Sequence, residues 1–153
     1  MPGSWPNHEF PNLSAGDYQV TSPATKRYNC TAWAAYDTRR KWWPDPFNIG
    51  YWPPGVAREE TVAAFIQAYG TLGFCLCFDG SLEPGVQKLV IFTKISNNKP
   101  VPTHAALQLE SGHWTSKLGD FEDITHYTLE SLNGPCYGQP ECYLARPRDS
   151  ETL

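Results

Sequence analysis

Apolar residues recur at helical spacing over residues 58–69, where Val62, Phe65, Ile66 and Tyr69 share one face and Glu59 and Glu60 fall in the first turn. A helix is expected there, ended by Gly70 or Gly73. A second helix is expected to start at Cys30, where a polar, turn-prone segment gives way to Ala-rich sequence and Cys30, Trp33, Ala34 and Asp37 line one side. The remaining pattern is β. Residues 74–78 alternate as a short strand, and Asp79-Gly80 marks a turn. Residues 88–95, with the run Leu-Val-Ile-Phe, predict a central strand buried on both faces. Residues 103–109 and 113–118 predict a hairpin around Glu110-Ser111-Gly112. A turn with a short helix is expected over 123–132, and a last strand over 141–145. Together these elements predict an α+β domain in which the Cys30 helix packs on an antiparallel sheet.

Prolines 2, 6, 11 and 23, scattered among Ser, Asn and Gly, break regular structure at the start of the chain. Residues 1–27 therefore read as an extended N-terminal arm, 28–147 as the domain and 148–153 as a polar tail. The chain of 153 residues suits one core. Its net charge of −4 argues against a phosphate-backbone binder, so no nucleic-acid partner is expected. No apolar run spans a bilayer and no secretory signal is visible, so the expected setting is cytoplasmic, with no membrane partner. Five cysteines are an odd number, and the spacing of Cys75, Cys77, Cys136 and Cys142 is not that of zinc knuckles. Neither a metal nor another cofactor is expected.

Aromatic residues make up 14 % of the chain, and many fall between Trp42 and Trp52 among prolines that forbid a regular element. Trp42, Trp43, Tyr51 and Trp52 are candidates to line a substrate groove, with core cover as the alternative.

The candidate chemistry centres on Cys30. A thiol at a helix start meets unsatisfied backbone amides and the positive end of the helix dipole, and both favour thiolate. His104, after a loop and at the mouth of a strand, is the candidate base. Asn29 and the Cys30 amide are candidate oxyanion donors, although Asn29 also suits a cap. The residue that orients the imidazole is left open among Ser116, Asp120 and Asp123. A two-residue turn at Ser111-Gly112 would set His104 opposite Gly119 with Lys117 on its face, and Ser116 would join it only after a bulge or a one-residue shift. His126 reads first as a capping or packing residue and second as a member of the site.

Four motifs carry a resemblance: Tyr28-Asn29-Cys30-Thr31-Ala32-Trp33-Ala34, Tyr51-Trp52-Pro53-Pro54-Gly55, Thr103-His104-Ala105-Ala106 and Trp114-Thr115-Ser116-Lys117-Leu118-Gly119. In combination the chain resembles an uncharacterised family of small bacterial domains. More remotely, the order of Cys at a helix start, His on a strand and a polar residue on the next strand resembles the papain-like superfamily, including amidases of the NlpC/P60 and CHAP kinds. That resemblance implies a papain-like α+β fold. The Gly-rich surroundings of the papain nucleophile are missing, and Ser-Lys-Leu-Gly stands where such enzymes place Asn or Glu. The expected function is a thiol hydrolase, a peptidase or amidase, with a peptide or amide substrate. The alternatives are a non-catalytic module that binds a sugar or peptide through its aromatic loops, and a degenerate partner protein.

Overall fold

The structure, a computed structural model, describes residues 3–149. Its centre is a hairpin of two long strands, β3 (Val86–Ser96) and β4 (Lys99–Gln108). Asn97 and Asn98 join them with φ of 51° and 62°. Asn tolerates the left-handed region, and a two-residue turn of that hand matches the twist of the strands it connects.

Around this hairpin lie β1 (Tyr18–Ser22), β2 (Cys75–Cys77), β5 (Trp114–Lys117), β6 (Asp123–His126) and β7 (Gln139–Pro147). They form one seven-stranded sheet in the order β1-β6-β5-β4-β3-β7-β2, and every pairing between these strands is antiparallel. Two helices, α1 (Cys30–Ala34) and α2 (Val62–Gly70), are short, and a 3-10 turn occupies Glu130–Leu132.

The continuous apolar run of β3 is explained by cover on both faces. Leu89 and Ile91 join Ala105, Leu107 and Leu144 under Phe65, Ala68 and Tyr69 of α2. Val90 and Phe92 point the other way, to Ala106, Trp114, Ile124 and the arm residues Trp5 and Phe10. Successive side chains of a strand alternate between faces, so a run of apolar residues can feed two cores.

This sheet-dominated architecture corrects the expected α+β, papain-like fold. The helix expected from Cys30 ends after five residues, because Tyr36 turns into the left-handed region at φ 65° and the Asp37 N–H returns to the Ala32 carbonyl at 2.9 Å. The second helix starts at Val62, capped by the Thr61 hydroxyl, which accepts from Ala64 N at 3.1 Å. Where a turn and short helix were expected over 123–132, residues 123–126 form β6, which pairs with both β5 and β1, and the helical turn is confined to Glu130–Leu132. β1 itself lies in the segment read as an extended arm. Of the polar tail, residues 150–153 lie outside the described residues.

Gly138 leads into β7 at φ 74°, and a Cβ built there would come within 2.0 Å of the Thr93 carbonyl oxygen. Gly85 has a similar φ of 75° in open space. Gly138→Ala is therefore expected to destabilise by more than about 3 kcal/mol, and Gly85→Ala by only about 1 to 2 kcal/mol. Urea denaturation of the two variants measures the difference, and equal losses would refute the backbone clash.

Candidate active site

Asn29 builds the start of α1. Its Oδ1 accepts from Ala32 N at 3.1 Å and Trp42 N at 3.0 Å, and its Nδ2 donates to the Trp42 carbonyl at 2.8 Å. The side chain thus caps the helix and ties it to the following loop. One of its two amide N–H groups is committed there, and the first-turn backbone amides are the other donors at this helix start.

Cys30 follows, 6 % exposed, with Sγ 3.8 Å from Thr31 Oγ1 and 4.0 Å from the Thr103 carbonyl oxygen. The β4–β5 ladder covers only Leu107–Thr115 and Gln108–Trp114, and α1 packs against both strands. Burial pushes the thiol pKa up, while the Thr31 hydroxyl and the amides of Ala105, Thr31 and Cys30 pull it down. Desolvation is the largest of these influences, so Cys30 rests as a neutral thiol.

His104, Ser116 and His126 form a buried chain. His126 Nδ1 lies 2.8 Å from the Thr128 carbonyl, which can only accept, so Nδ1 carries the proton. Burial holds the His126 pKa down at about 4, so its Nε2 is a lone pair and accepts from the Ser116 hydroxyl at 2.7 Å. The serine has then used its single proton, and it accepts from His104 Nε2 at 3.0 Å. His104 is left with an unprotonated Nδ1, which is buried and has no hydrogen-bond partner among the described residues. Tyr137 stacks on its ring at 3.9 Å and Phe92 meets it edge-on at 5.3 Å. Desolvation, and then the neighbouring His126, lower the His104 pKa well below the ordinary value.

The register decides which polar residue meets the imidazole. Leu107 pairs with Thr115, one residue displaced from the pairing that a turn at Ser111-Gly112 would impose. That shift brings Ser116 to the face of His104 and sends Lys117 to the other. Asp123 pairs with Lys117 and lies on that other face, where its carboxylate accepts from Tyr28 Oη at 2.6 Å and from Thr21 Oγ1. Asp120 is exposed, 3.4 Å from Lys41 Nζ. Neither carboxylate touches His104. The Lys117 ammonium is held by the carbonyls of Thr25, Gly119 and Phe121.

Among the aromatic candidates, Trp42 and Trp52 are core residues, their indole N–H groups spent on Asp37 and the Ala57 carbonyl, each at 2.9 Å. Trp43 and Tyr51 are half-buried and line an open groove of about 940 Å³ with Asn29, Arg40, Lys41 and Arg58. Of the residues gathered here, Arg40 was not read from the sequence and His126 only as a second choice for the site. His126 had a signal in the alternation of Ile124 and His126, which places both on one face of a strand. Arg40 had none beyond a short basic run. Among the described residues, all five cysteines are free and no group of three His, Cys, Asp or Glu is placed to hold a metal ion.

The profile of the family described as Domain of unknown function (DUF7689) matches residues 19–145. The chain belongs to the DUF7689 family. The matched segment runs from β1 into β7, so the DUF7689 domain encloses Asn29, Cys30, His104, Ser116 and His126. No curated protein and no solved structure matches the chain. Among the described residues, no helix is long and apolar enough to cross a membrane.

His126 gives the site a pH signature. Its folded pKa of about 4 lies below the ordinary 6.5, so between those values the unfolded chain binds more protons than the folded one. Stability therefore rises with pH across that window and is lost on acidification, by roughly 3 kcal/mol for this group alone. Urea denaturation at about pH 7 and about pH 4.5 should show the loss, and His126→Gln should make it smaller, the remainder coming from buried His104. An unchanged slope in the variant would refute a buried neutral His126.

Proposed function

We propose that the domain is a thiol hydrolase acting on an amide or peptide bond, with Cys30 as nucleophile and His104 as base and then acid. The observation that carries this reading is the unpartnered Nδ1 of His104, a lone pair whose tautomer the Ser116–His126 chain dictates. His104 sits between Thr103 and Ala105, the two residues whose backbones meet the Cys30 thiol. Among the described residues no bond joins thiol and imidazole at rest. The thiol comes from the α1 side and the ring lies on the opposite face, so the two meet at the gap where β4 and β5 stop pairing, once substrate binds.

As Sγ attacks the carbonyl carbon, the thiol proton passes to His104 Nδ1. The first-turn amides of α1 receive the oxyanion. Collapse of the tetrahedral intermediate expels the amine, which takes the proton from Nδ1 and leaves a thioester. Water then attacks, giving its proton to Nδ1, and the thiol leaves with that proton. Ser116 acts as a positioning residue, because its bond to Nε2 strengthens when the imidazole is charged. Since Cys30 is almost closed off, substrate reaches it through a local opening. The chemistry rests on these side chains and not on a papain-like fold. A cytoplasmic setting belongs to the proposal, and five free cysteines suit a reducing compartment.

Alkylation by iodoacetamide near neutral pH, followed by peptide mapping, tests the pair. In His104→Gln the labelling of Cys30 should slow at least about tenfold, while labelling of the exposed Cys75 stays constant. Ser116→Ala should shift the pH profile of Cys30 labelling. Unchanged Cys30 kinetics in folded His104→Gln would sink the proposal and leave a binding role.

A further inference from the structure

The groove beside α1 is built to hold its shape. Trp43 N donates to the Tyr51 carbonyl and Tyr51 N to the Lys41 carbonyl, each at 2.9 Å. Between them Asp45 closes the loop by accepting from the N–H groups of Phe47, Ile49 and Gly50 at 2.9, 3.0 and 2.6 Å. Arg58 clamps its two ends, donating to the carbonyls of Asp45 and Gly50, each at 2.7 Å. The carboxylate of Asp45 is saturated by these amides and the guanidinium of Arg58 is spent on the loop.

Arg40 is different. Its Nε donates to Asp37 at 2.8 Å, and its guanidinium carbon lies 3.5 Å from the centre of the Tyr51 ring. Asp37 is itself fixed by Trp42 Nε1 at 2.9 Å and Arg39 N at 2.9 Å, and despite its burial these bonds and Arg40 bring its pKa to about 2. The guanidinium is thus oriented from behind and below. Its two terminal nitrogens make no hydrogen bond among the described residues, and the side chain is 46 % exposed at the groove. A planar fork held in one orientation matches a carboxylate bidentately. Lys41 stands beside it, paired with exposed Asp120 at 3.4 Å, a contact that yields readily. Trp43 and Ile49, the latter 85 % exposed, supply apolar surface on the same wall.

We infer that this groove binds an acidic peptide segment, with an Asp or Glu carboxylate on the Arg40 fork beside Lys41 and the adjoining apolar side chain against Trp43 and Ile49. Asp37 and Asp120 offset much of the cationic charge, so recognition depends on the geometry of the fork more than on net field. The groove reaches Asn29, the residue before Cys30, and the inference rests on the thiol reading in taking this segment as substrate.

Cys30→Ala protein and fluorescein-labelled, acetylated Glu-Leu-Glu-Phe-Glu test it by fluorescence polarisation, with the Gln-for-Glu peptide as control. The acidic peptide should bind at least about tenfold more tightly than the control, and Arg40→Gln should remove that preference without restoration by Arg40→Lys. Lys41→Gln, on the exposed side, should weaken binding by a few fold and keeps the test open if Arg40→Gln unfolds. Equal affinity for both peptides, no binding of either, or displacement by a neutral oligosaccharide in place of the acidic peptide would overturn the inference, as would saturation by inorganic phosphate without peptide binding. Because binding is read in Cys30→Ala and thiol reactivity in the native chain, an inert Cys30 and an empty groove give different results.

Discussion

Beyond Leu107 and Thr115, β4 and β5 stop pairing, and the backbone groups on β4 that a strand would have satisfied need other partners. The start of α1 supplies them. The Ala105 amide is directed at Cys30 Sγ, which lies 4.0 Å from the Thr103 carbonyl oxygen, so a thiol takes the place of a missing strand. On the β5 side, the Lys117 ammonium gathers the carbonyls of Thr25, Gly119 and Phe121. An unpaired carbonyl or amide buried in this core costs on the order of 1 to 3 kcal/mol, so the opening persists only because these side chains fill it.

Around that opening the two faces of the sheet carry different polar systems. On the α1 side, Asp123 joins β6 to Tyr28 and, through Thr21, to β1. Its carboxylate therefore braces the sheet edge, on the face away from the imidazole. On the opposite side, the chain from Thr128 through His126 and Ser116 ends at His104, walled by Phe92 and Tyr137. Each member has one proton to give and one lone pair to fill, which makes the direction of the chain unique while both histidines are neutral. The free lone pair falls on the residue whose neighbours on β4 touch the thiol.

Asn29 couples this centre to the groove. One side chain caps α1, fixing the thiol against β4, and holds both backbone groups of Trp42, whose indole in turn anchors Asp37 behind Arg40. The groove wall and the start of α1 are thereby joined through a single side-chain amide. Rigid packing of Trp42 against Tyr51 and Tyr69 keeps that connection short.

Local rules were enough to read some of this from the residues. The buried run Leu89–Phe92 announced a central strand, the polar cap before Cys30 a helix start, and Val62 to Tyr69 an amphipathic helix, because periodicity and capping act within a few residues. The length of α1, the strand at β6 and the strand hidden in the Pro-rich arm were not legible, since each is made by pairing with segments far along the chain. The same division runs through the site. That Cys30 heads a helix and His104 lies on a strand followed from the local pattern. That Ser116, and neither Asp120 nor Asp123, meets the imidazole depended on a one-residue register, which flips every side chain of a strand to the other face. The fork of Arg40 likewise exists only once Asp37, Trp42 and Tyr51 are packed around it, because orientation is a property of neighbours that the folded chain alone brings together.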